Sequence, residues 1–310
     1  MTFKITTLVK SSVVLGALLL ASGASAAKPN VHTGRAEVYK NLEVESLEAV
    51  STPEQIMKFK SVANIAPTRI WKVLEHGEKL ECLGCVPIVA KLLYNSNPKT
   101  REISAWWLRR RIFGVFGPGQ VYQQTLNTLA DANETEAHRI YAANALGEFL
   151  SSGGVPALSK AVVGDESALV RKAAVAGLER LNSSGANGEL SIAFSDGDAD
   201  VRLAALHAAT RINSFSDVAA VVALISDDSA LVRRRAAETL GVMKAADAVA
   251  SLLVLASEDQ ESDAAVRAAA IWALGQIGDP AASDAILAGQ KDSDPSVQSA
   301  AHISARLLRL

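Results

Sequence analysis

The chain repeats one short motif at nearly constant spacing, and this periodicity limits the folds available to it. An acidic residue, a basic residue that usually follows Val, a run of Ala and a closing Leu recur, most clearly in SDAAVRAAAIWALGQIG from Ser262 to Gly278. The basic residue returns every 31 to 38 residues, with Gln298 in its place at the end of the series: Arg101, Arg139, Arg171, Arg202, Arg233 and Arg267. Such a period with helix-favouring composition predicts stacked two-helix units. We therefore predict an all-α fold, a right-handed α-solenoid (superhelix) of about seven two-helix repeats over residues 51–310.

Each unit is predicted to begin with the helix that carries this basic residue. The position three residues later is always small, which would let neighbouring helices approach closely: Ser104, Ala142, Ala174, Ala205, Ala236, Ala270 and Ala301. Pro residues near Val155 and Asp279 predict the start of a second, following helix. We expect Gly147, Gly241 and Gly275 to end the first helices in the left-handed conformation.

Composition agrees with closely packed helices and argues against nucleic acid as a partner. Hydrophobic residues make up 49% of the chain but aromatic residues only 5%. There are 31 Lys and Arg against 33 Asp and Glu, a formal net charge of −2. Because a nucleic-acid-binding chain would show a basic excess or a basic patch, we predict no nucleic-acid partner.

The first residues have the features of a secretory signal peptide. Residues 1–26 carry two Lys, an apolar run from Val13 to Leu20 and a small-residue end with Ala24 and Ala26. The run is shorter than the ~20 residues needed to span a bilayer. We predict cleavage after Ala26, a periplasmic or secreted protein and no membrane insertion after cleavage. Residues 27–50 have few large apolar side chains, which predicts a partly disordered N-terminal arm.

The pattern D-x-x-x-x-V-R-x-x-A-A-x-x-L-G resembles HEAT-like repeats of the phycobilisome lyase type, over roughly residues 68–310. The resemblance implies the fold but leaves the activity open, because the family includes bilin lyases, a metal-dependent hydroxylase of a modified lysine and binding scaffolds. It also implies a ladder of acids and Arg between units: Asp165, Arg171, Asp198, Arg202, Asp228, Arg233, Asp263 and Arg267. An exposed pair contributes only about 0 to 1 kcal/mol, so we expect this ladder to set register more than to stabilise.

No residue pattern points to catalysis or to a cofactor. The hydroxylases of this family bind two irons through His-Glu pairs on opposing repeats, whereas no His here is followed by Glu: His32, His76, His138, His207 and His302. We find no signature of bilin lyase activity, and an export signal argues against that cytoplasmic role. We predict a non-catalytic protein without a metal or cofactor, with a lyase-like enzyme of the same family as an alternative.

The two cysteines, Cys82 and Cys85, form the one local constellation. Val86 stands where covalent haem attachment would need His, and a second ligand pair for zinc is missing. In an oxidising compartment a disulfide is expected, worth at most about 2 kcal/mol in a ring this short. Val86 and Pro87 predict a helix start, so Cys85 would precede a helix N-terminus, where a thiolate is favoured. A structural disulfide and a thiol redox or assembly factor both remain open.

The stretch REISAWWLRRRIFGVFGPG departs most from the repeat. Trp106 falls in a column that tolerates polar residues, so we expect it to be partly exposed. Because Trp and Arg dominate binding hot spots, Trp106, Arg109, Arg110 and Arg111 are candidate partner-binding residues. Alternatively, the Trp pair seals the first unit while the three Arg lie at a helix C-terminus, where the helix dipole favours cations.

The last residues form a predicted helix whose apolar side chains would lack a covering unit: Ile303, Leu307, Leu308 and Leu310. This C-terminal edge could dock a second copy of the chain, giving a homo-oligomer, or fold back on the preceding unit. The leading functional prediction is a non-catalytic periplasmic scaffold that binds a protein partner, of unknown identity, on the surface formed by successive second helices.

Overall fold

A computed structural model describes residues 52–77, 82–112, 119–182 and 186–310. The predicted signal peptide (1–26) and N-terminal arm (27–50) lie outside the described residues. Every regular element in the described ranges is helical, which confirms the all-α prediction: α1 (Pro53–Lys60), α2 (Pro67–Gly77), α3 (Val86–Lys91), α4 (Pro98–Ile112), α5 (Gly119–Ala130), α6 (Glu136–Glu148), α7 (Val155–Gly164), α8 (Ala168–Leu181), α9 (Asn187–Ala193), α10 (Ala199–Ala209), α11 (Val218–Ala223), α12 (Ala230–Val242), α13 (Val249–Leu255), α14 (Ala264–Ile277), α15 (Ser283–Gly289) and α16 (Pro295–Leu308). Among these helices, none combines the length and apolar character that crossing a membrane requires.

Helix α1 begins with a capping box. The Thr52 hydroxyl accepts a hydrogen bond from Gln55 N at 3.3 Å, and Gln55 Oε1 accepts one from Thr52 N at 3.1 Å. Pro53 is the first helical residue, where its missing N–H leaves no bond unmade. Near the end of the helix, Phe59 is fully buried and its ring lies 5.3 Å from that of Trp107. Helix α1 therefore begins at Pro53 and packs against the first regular units.

The helices form two layers. The long helices α4, α6, α8, α10, α12, α14 and α16 carry the repeated Arg or Gln298, and we call them the Arg helices. Each packs on the next along the chain. The helices between them, α3, α5, α7, α9, α11, α13 and α15, are shorter apart from α5, and we call them the short helices. This arrangement confirms the α-solenoid prediction.

Each short helix packs mainly on the Arg helix that follows it. Helices α7 and α8 are joined by only residues 165–167, and a Cβ added to Gly177 in α8 would lie 2.8 Å from Cδ2 of Leu158 in α7. The prediction that the Arg helix opens each unit was therefore wrong, and α15 completes the last unit with α16. The period of the sequence repeat gives the length of a unit. Which helix begins the unit depends on which two neighbouring helices pack together.

The close approach of Arg helices depends on small residues, as predicted. Every member of the column three residues after the Arg is fully buried: Ser104, Ala142, Ala174, Ala205, Ala236, Ala270 and Ala301. Gly147, Gly241 and Gly275, however, lie inside their helices and do not end them. A Cβ on Gly147 would come 2.9 Å from Gly177 Cα, and one on Gly275 would come 2.9 Å from Ser304 Cα. These glycines therefore allow adjacent Arg helices to touch.

Arginine ladder and candidate protein-binding surfaces

Five Arg side chains each bridge two successive units. Arg267 Nε donates to Asp292 Oδ2 at 2.9 Å and Nη2 donates to Oδ1 at 2.8 Å, while Nη1 donates to Glu261 O at 2.9 Å. The same two-pronged pairing joins Arg139 to Asp165, Arg171 to Asp196, Arg202 to Asp227 and Arg233 to Glu261. Each of these acids also accepts from the backbone N–H two residues later. The pairs form a continuous ladder along the array.

Three of the four acids predicted for the ladder were wrong. Asp198 and Asp263 are N-caps of α10 and α14, and the Asp228 carboxylate is not the one that pairs with a ladder Arg. Asp165 is a ladder acid, but its partner is Arg139 of the preceding unit. Each turn between a short helix and the following Arg helix contains two or more acidic or polar residues. The residue directly before the Arg helix suits the N-cap. The ladder acid comes earlier, six residues before the Arg of its own unit.

The ladder pairs are buried or largely buried, whereas exposed pairs were expected: the Arg side chains are between 4% and 18% exposed. Arg267 and Asp292 are each 4% exposed. Hydrogen bonds from Arg267 lower the pKa of Asp292, and hydrogen bonds from Arg233 lower the pKa of Glu261. Removing one partner of a buried pair costs about 3 to 5 kcal/mol, because the other charge is left without compensation. The ladder is therefore far more sensitive to single substitutions than a surface pair.

The ladder changes at both ends. In the last unit Gln298 replaces Arg, and its Nε2 donates to Asp292 O at 2.8 Å, as Nη1 of a ladder Arg does within its own turn. At the other end Arg101 Nη1 donates to Asn95 O at 2.6 Å, and the guanidinium lies 3.9 Å from the centroid of the Tyr141 ring. Within the described residues no carboxylate forms a salt bridge with Arg101.

Cys82 and Cys85 form a disulfide in the turn before α3. Both side chains are fully buried, and α1 packs against this turn. Cys85 immediately precedes α3, as predicted from Val86 and Pro87. Because no sulfur is exposed, an external thiol could reach this disulfide only if the turn or α1 opened.

Arg111 belongs to the interior and cannot serve as a surface anchor. It is 2% exposed, its Nη2 donates to Gly77 O at 2.8 Å, and its guanidinium lies 4.7 Å from the centroid of the Trp107 ring. Trp107 is itself fully buried between this Arg and Phe59. These contacts favour the alternative in which this part of the stretch seals the first units.

Trp106 and Arg110 lie at the surface of α4. Trp106 is half-buried, as expected, and the exposed Arg110 lies 5.7 Å from the centroid of its ring. Arg109 is half-buried and its Nη1 donates to Glu148 O of α6 at 3.2 Å. The four candidate residues are thus divided between core, unit boundary and surface, and partner binding by Trp106 and Arg110 stays a prediction.

The described histidines do not gather into one place. His138 Nδ1 lies 3.0 Å from Glu134 Oε2, and His207 Nδ1 lies 2.9 Å from Glu179 Oε2. In the part of the chain that the structure describes, no three His, Cys, Asp or Glu side chains come close enough to hold a metal ion together.

The C-terminal edge is polar at the positions where another Arg helix would pack. His302 and Arg306 of α16 take the places that Ile271 and Gly275 take in α14, counted from Gln298 and Arg267, and both are exposed. A bulky cation in place of glycine opposes further stacking in the register used inside the array. The expected exposure of apolar residues holds for Ile303, Leu307 and Leu310, whereas Leu308 is half-buried. A homo-oligomer through this edge stays a prediction.

The outer side of the short helices is almost free of charge. Helices α5, α7, α9, α11, α13 and α15 contain only three charged residues, Lys160, Glu189 and Asp284. We define the neutral surface as the exposed residues of α7, α9, α11, α13 and α15: Pro156, Lys160, Val163, Gly164, Gly188, Ile192, Ala219, Ala223, Ala250, Val254, Asp284, Leu287 and Ala288. Depletion of charge is typical of the centre of protein interfaces. The sequence signal for this surface is the lack of charge in segments such as VAAVVA and VASLLVL.

An open groove crosses the neutral surface between α7 and α9. Its volume is about 620 Å³, and it is lined by Val163, Ser191 and Ile192 together with Arg171 and Asp196 of the ladder. The two apolar side chains are exposed at its sides. The groove therefore places the exposed apolar side chains next to Arg171 and Asp196, whose charges compensate each other.

The paired layers, the small-residue column and the ladder define the class of protein, an α-solenoid of stacked helical repeats. Models of HEAT repeats match residues 122–208, 189–263 and 218–306, together more than half of the chain. The chain therefore belongs to the HEAT repeat family, as its motif predicted. A search of the curated proteins gave no significant match.

A solved structure with a TM-score above 0.5 supports this fold. YibA of Escherichia coli matches over 84% of this chain and 98% of its own, with a TM-score of 0.53 and 16% identity. Human deoxyhypusine hydroxylase in complex with glycerol matches over 86% and 96%, with a TM-score of 0.36 and 16% identity. The CpcE and CpcF complex of phycocyanin lyase from Nostoc matches over 72% and 93%, with a TM-score of 0.38 and 21% identity. The similarity to YibA supports the fold alone, and the two matches with lower scores carry no argument.

Proposed function

We propose that this protein is an exported, non-catalytic scaffold that binds a partner protein on the neutral surface. The observation that carries the proposal is the near absence of charge on the exposed side of five successive short helices. Burying a charge in an interface costs energy unless it is paired, whereas small apolar side chains can be buried without that cost. A protein partner covering this surface would therefore meet little desolvation penalty.

The Arg helices are less suited to this role. Their exposed or half-exposed positions carry charges such as Lys172, Glu179 and Arg180 on α8 and Arg234 and Arg235 on α12. Apolar side chains are equally exposed on both layers, since Val254 on α13 is 57% exposed and Leu231 on α12 is 56% exposed. The layers therefore differ in the charge that surrounds these side chains.

Export is supported by two independent features. Residues 1–26 have the composition of a signal peptide, and the cysteine pair is joined in a disulfide. Structural disulfides persist in oxidising compartments and are rare in the cytosol. We propose that the mature chain acts in the periplasm or is secreted.

The test places charge on the neutral surface. Ile192→Lys and Val254→Lys, in the chain without residues 1–26, are used as bait in periplasmic extract beside the unsubstituted chain. We expect the partner recovered by the unsubstituted chain to be lost, because each Lys would have to be desolvated in the complex. Both side chains are exposed, so the thermal midpoint should not change.

Leu169→Lys and Leu231→Lys are matched controls, because both leucines are exposed to a similar extent but lie on Arg helices. These variants should retain the partner. Equal loss in both pairs, or retention by Ile192→Lys and Val254→Lys, would count against binding on the neutral surface. Recovery of no reproducible partner by the unsubstituted chain would count against the scaffold itself.

A further inference from the structure

Arg101 is held in the same pose as the Arg residues of the ladder. Its Nη1 donates to Asn95 O at 2.6 Å and to Ser96 O at 2.9 Å, six and five residues earlier in the chain. Arg171 Nη1 likewise donates to the carbonyl oxygens six and five residues earlier, at 3.0 and 3.1 Å. The first half of the ladder arrangement is therefore present at Arg101.

The second half, the carboxylate from the next unit, is missing there. Arg101 and Arg139 are separated by 38 residues, against 31 to 34 between the later Arg positions, so the intervening segment is longer. Two acids lie in the turn before α6: Asp131 is exposed and accepts from N and Nδ2 of Asn133 at 2.9 and 3.1 Å, and Glu134 Oε2 lies 3.0 Å from His138 Nδ1. Asn133 holds the position six residues before Arg139, where the later units carry the ladder acid. Among the described residues, no acid takes the place that Asp196 takes opposite Arg171.

Tyr141 orients the guanidinium of Arg101 without using its remaining donors. The ring lies against the guanidinium at 3.9 Å, whereas Ala173 and Ala204 hold this position in the next two units. Guanidinium N–H groups point outward in their own plane, so a ring stacked on the face leaves the Nε and Nη2 donors free for a second partner. The guanidinium of Arg101 is therefore held in place without a carboxylate partner among the described residues.

Arg101 and Tyr141 line a cavity of about 260 Å³ on the Arg-helix layer. Across it, Glu148 is engaged by Arg180 Nη2 at 2.6 Å, so its charge is compensated. Glu102 is exposed at the rim and adds a negative charge that would oppose an anion. Pockets for drug-sized ligands occupy about 300 to 1,000 Å³, so this cavity suits a group the size of one amino-acid side chain.

We propose that Arg101 is a carboxylate-binding site, in which a ligand carboxylate accepts from Nε and Nη2 as the ladder acids do in the other units. The carboxylate is supplied by an acidic side chain of a polypeptide or by a small free carboxylate. Two-pronged recognition of this kind is the strong form of the Arg–carboxylate interaction. Because the site lies on the opposite layer from the neutral surface, it does not depend on the proposed scaffold function.

The test follows the Nε–H resonance of Arg101 by nitrogen–proton NMR in the full chain. The probes are glutarate and the peptide acetyl-Gly-Glu-Gly-amide, with acetyl-Gly-Gln-Gly-amide as the uncharged control. We expect a saturable shift with a carboxylate probe and none with the Gln peptide. A response to glutarate alone identifies a small free carboxylate as the source, and a response to the Glu peptide identifies an acidic side chain.

Arg101→Gln is the matched variant, because Gln298 already makes the same carbonyl hydrogen bond in the last unit. With the Tyr141 amide as reporter, this variant should bind at least about tenfold more weakly while its fold is retained. Glu102→Gln should bind more tightly. The proposal is overturned if glutarate and the Glu peptide shift the Arg101 resonance no more than the Gln peptide does. It is also overturned if Asp131→Asn alone moves that resonance as far, because Asp131 would then fill the site from within the chain.

Discussion

Replacing Asp292 by Asn should destabilise the C-terminal units by far more than a surface substitution. The carboxylate accepts two hydrogen bonds from Arg267 and one from Asp294 N, and both partners of the pair are 4% exposed. Asn has one acceptor oxygen and no charge, so the guanidinium would stay buried without compensation. We expect a loss of about 3 to 5 kcal/mol. A typical domain has only about 5 to 15 kcal/mol in total.

The measurement is urea unfolding at neutral pH followed by circular dichroism, together with hydrogen exchange of α14 and α16. Exchange is needed because stability in a repeat array depends on neighbouring units, so the last units can open before the others. Asp292→Asn should speed exchange in these two helices first. Helices near the other end of the array, such as α6, should be affected least.

A double-mutant cycle separates the pair from general damage. Arg267→Gln copies the residue found at 298, where the carbonyl hydrogen bond is kept without a charge. The double variant Arg267→Gln with Asp292→Asn buries no unpaired charge, so it should cost less than the sum of the single variants by about 1 to 3 kcal/mol. A single-variant loss below about 1 kcal/mol, or strict additivity, would refute the argument and place the ladder among exposed pairs.

Three further outcomes are expected. Hydrogen bonds from Arg lower the folded-state pKa of Glu261 and Asp292, so these two carboxylates stabilise the fold fully at pH values above their unfolded-state pKa of about 4. The stabilisation is lost as the pH falls through their folded-state pKa values. Urea midpoints that stay constant below pH 4 would contradict this. Gly275→Ala should cost about 1 to 3 kcal/mol in urea unfolding, because its Cβ would lie 2.9 Å from the backbone of α16, whereas Gly197→Ala meets open space and should be nearly neutral. The buried disulfide should yield no thiols to iodoacetamide in native protein under a glutathione buffer, and ready labelling there would favour a redox role.

The fold was predictable because its determinants repeat. A column of small residues at one spacing can be recognised without knowing any contact, and the structure buries all of it. The identity of the ladder acids was harder, since Asp196 and Asp198 stand two residues apart and either could face an Arg. Asp198 is the N-cap of α10, and Asp196 accepts the hydrogen bonds from Arg171. The pattern D-x-x-x-x-V-R does place its acid six residues before the Arg, as in Asp196 and Arg202, but it does not show that this acid pairs with the Arg of the preceding unit.

The candidate surfaces were predictable in part. Loss of charge from the short-helix segments can be read from the sequence, and it marks the neutral surface. Arg111 was misjudged because three consecutive Arg suggest exposure, although Arg111 is four residues after the buried Trp107 and so shares its face. The lack of a ladder acid opposite Arg101 can be recognised only when the acid that pairs with each of the other ladder Arg residues is known.

In the ladder, each unit between α7 and α14 gives an acid to the unit before it and an Arg to the unit after it. Arg171, Arg202 and Arg233 are each 31 residues apart. If residues 172–202 were deleted, Arg171 would meet Asp227 in the same geometry, and a duplicated block would likewise arrive with both of its partners. The array can therefore gain or lose whole units during evolution without a compensating substitution. An insertion of a few residues within a unit has no such tolerance and leaves an Arg without its acid.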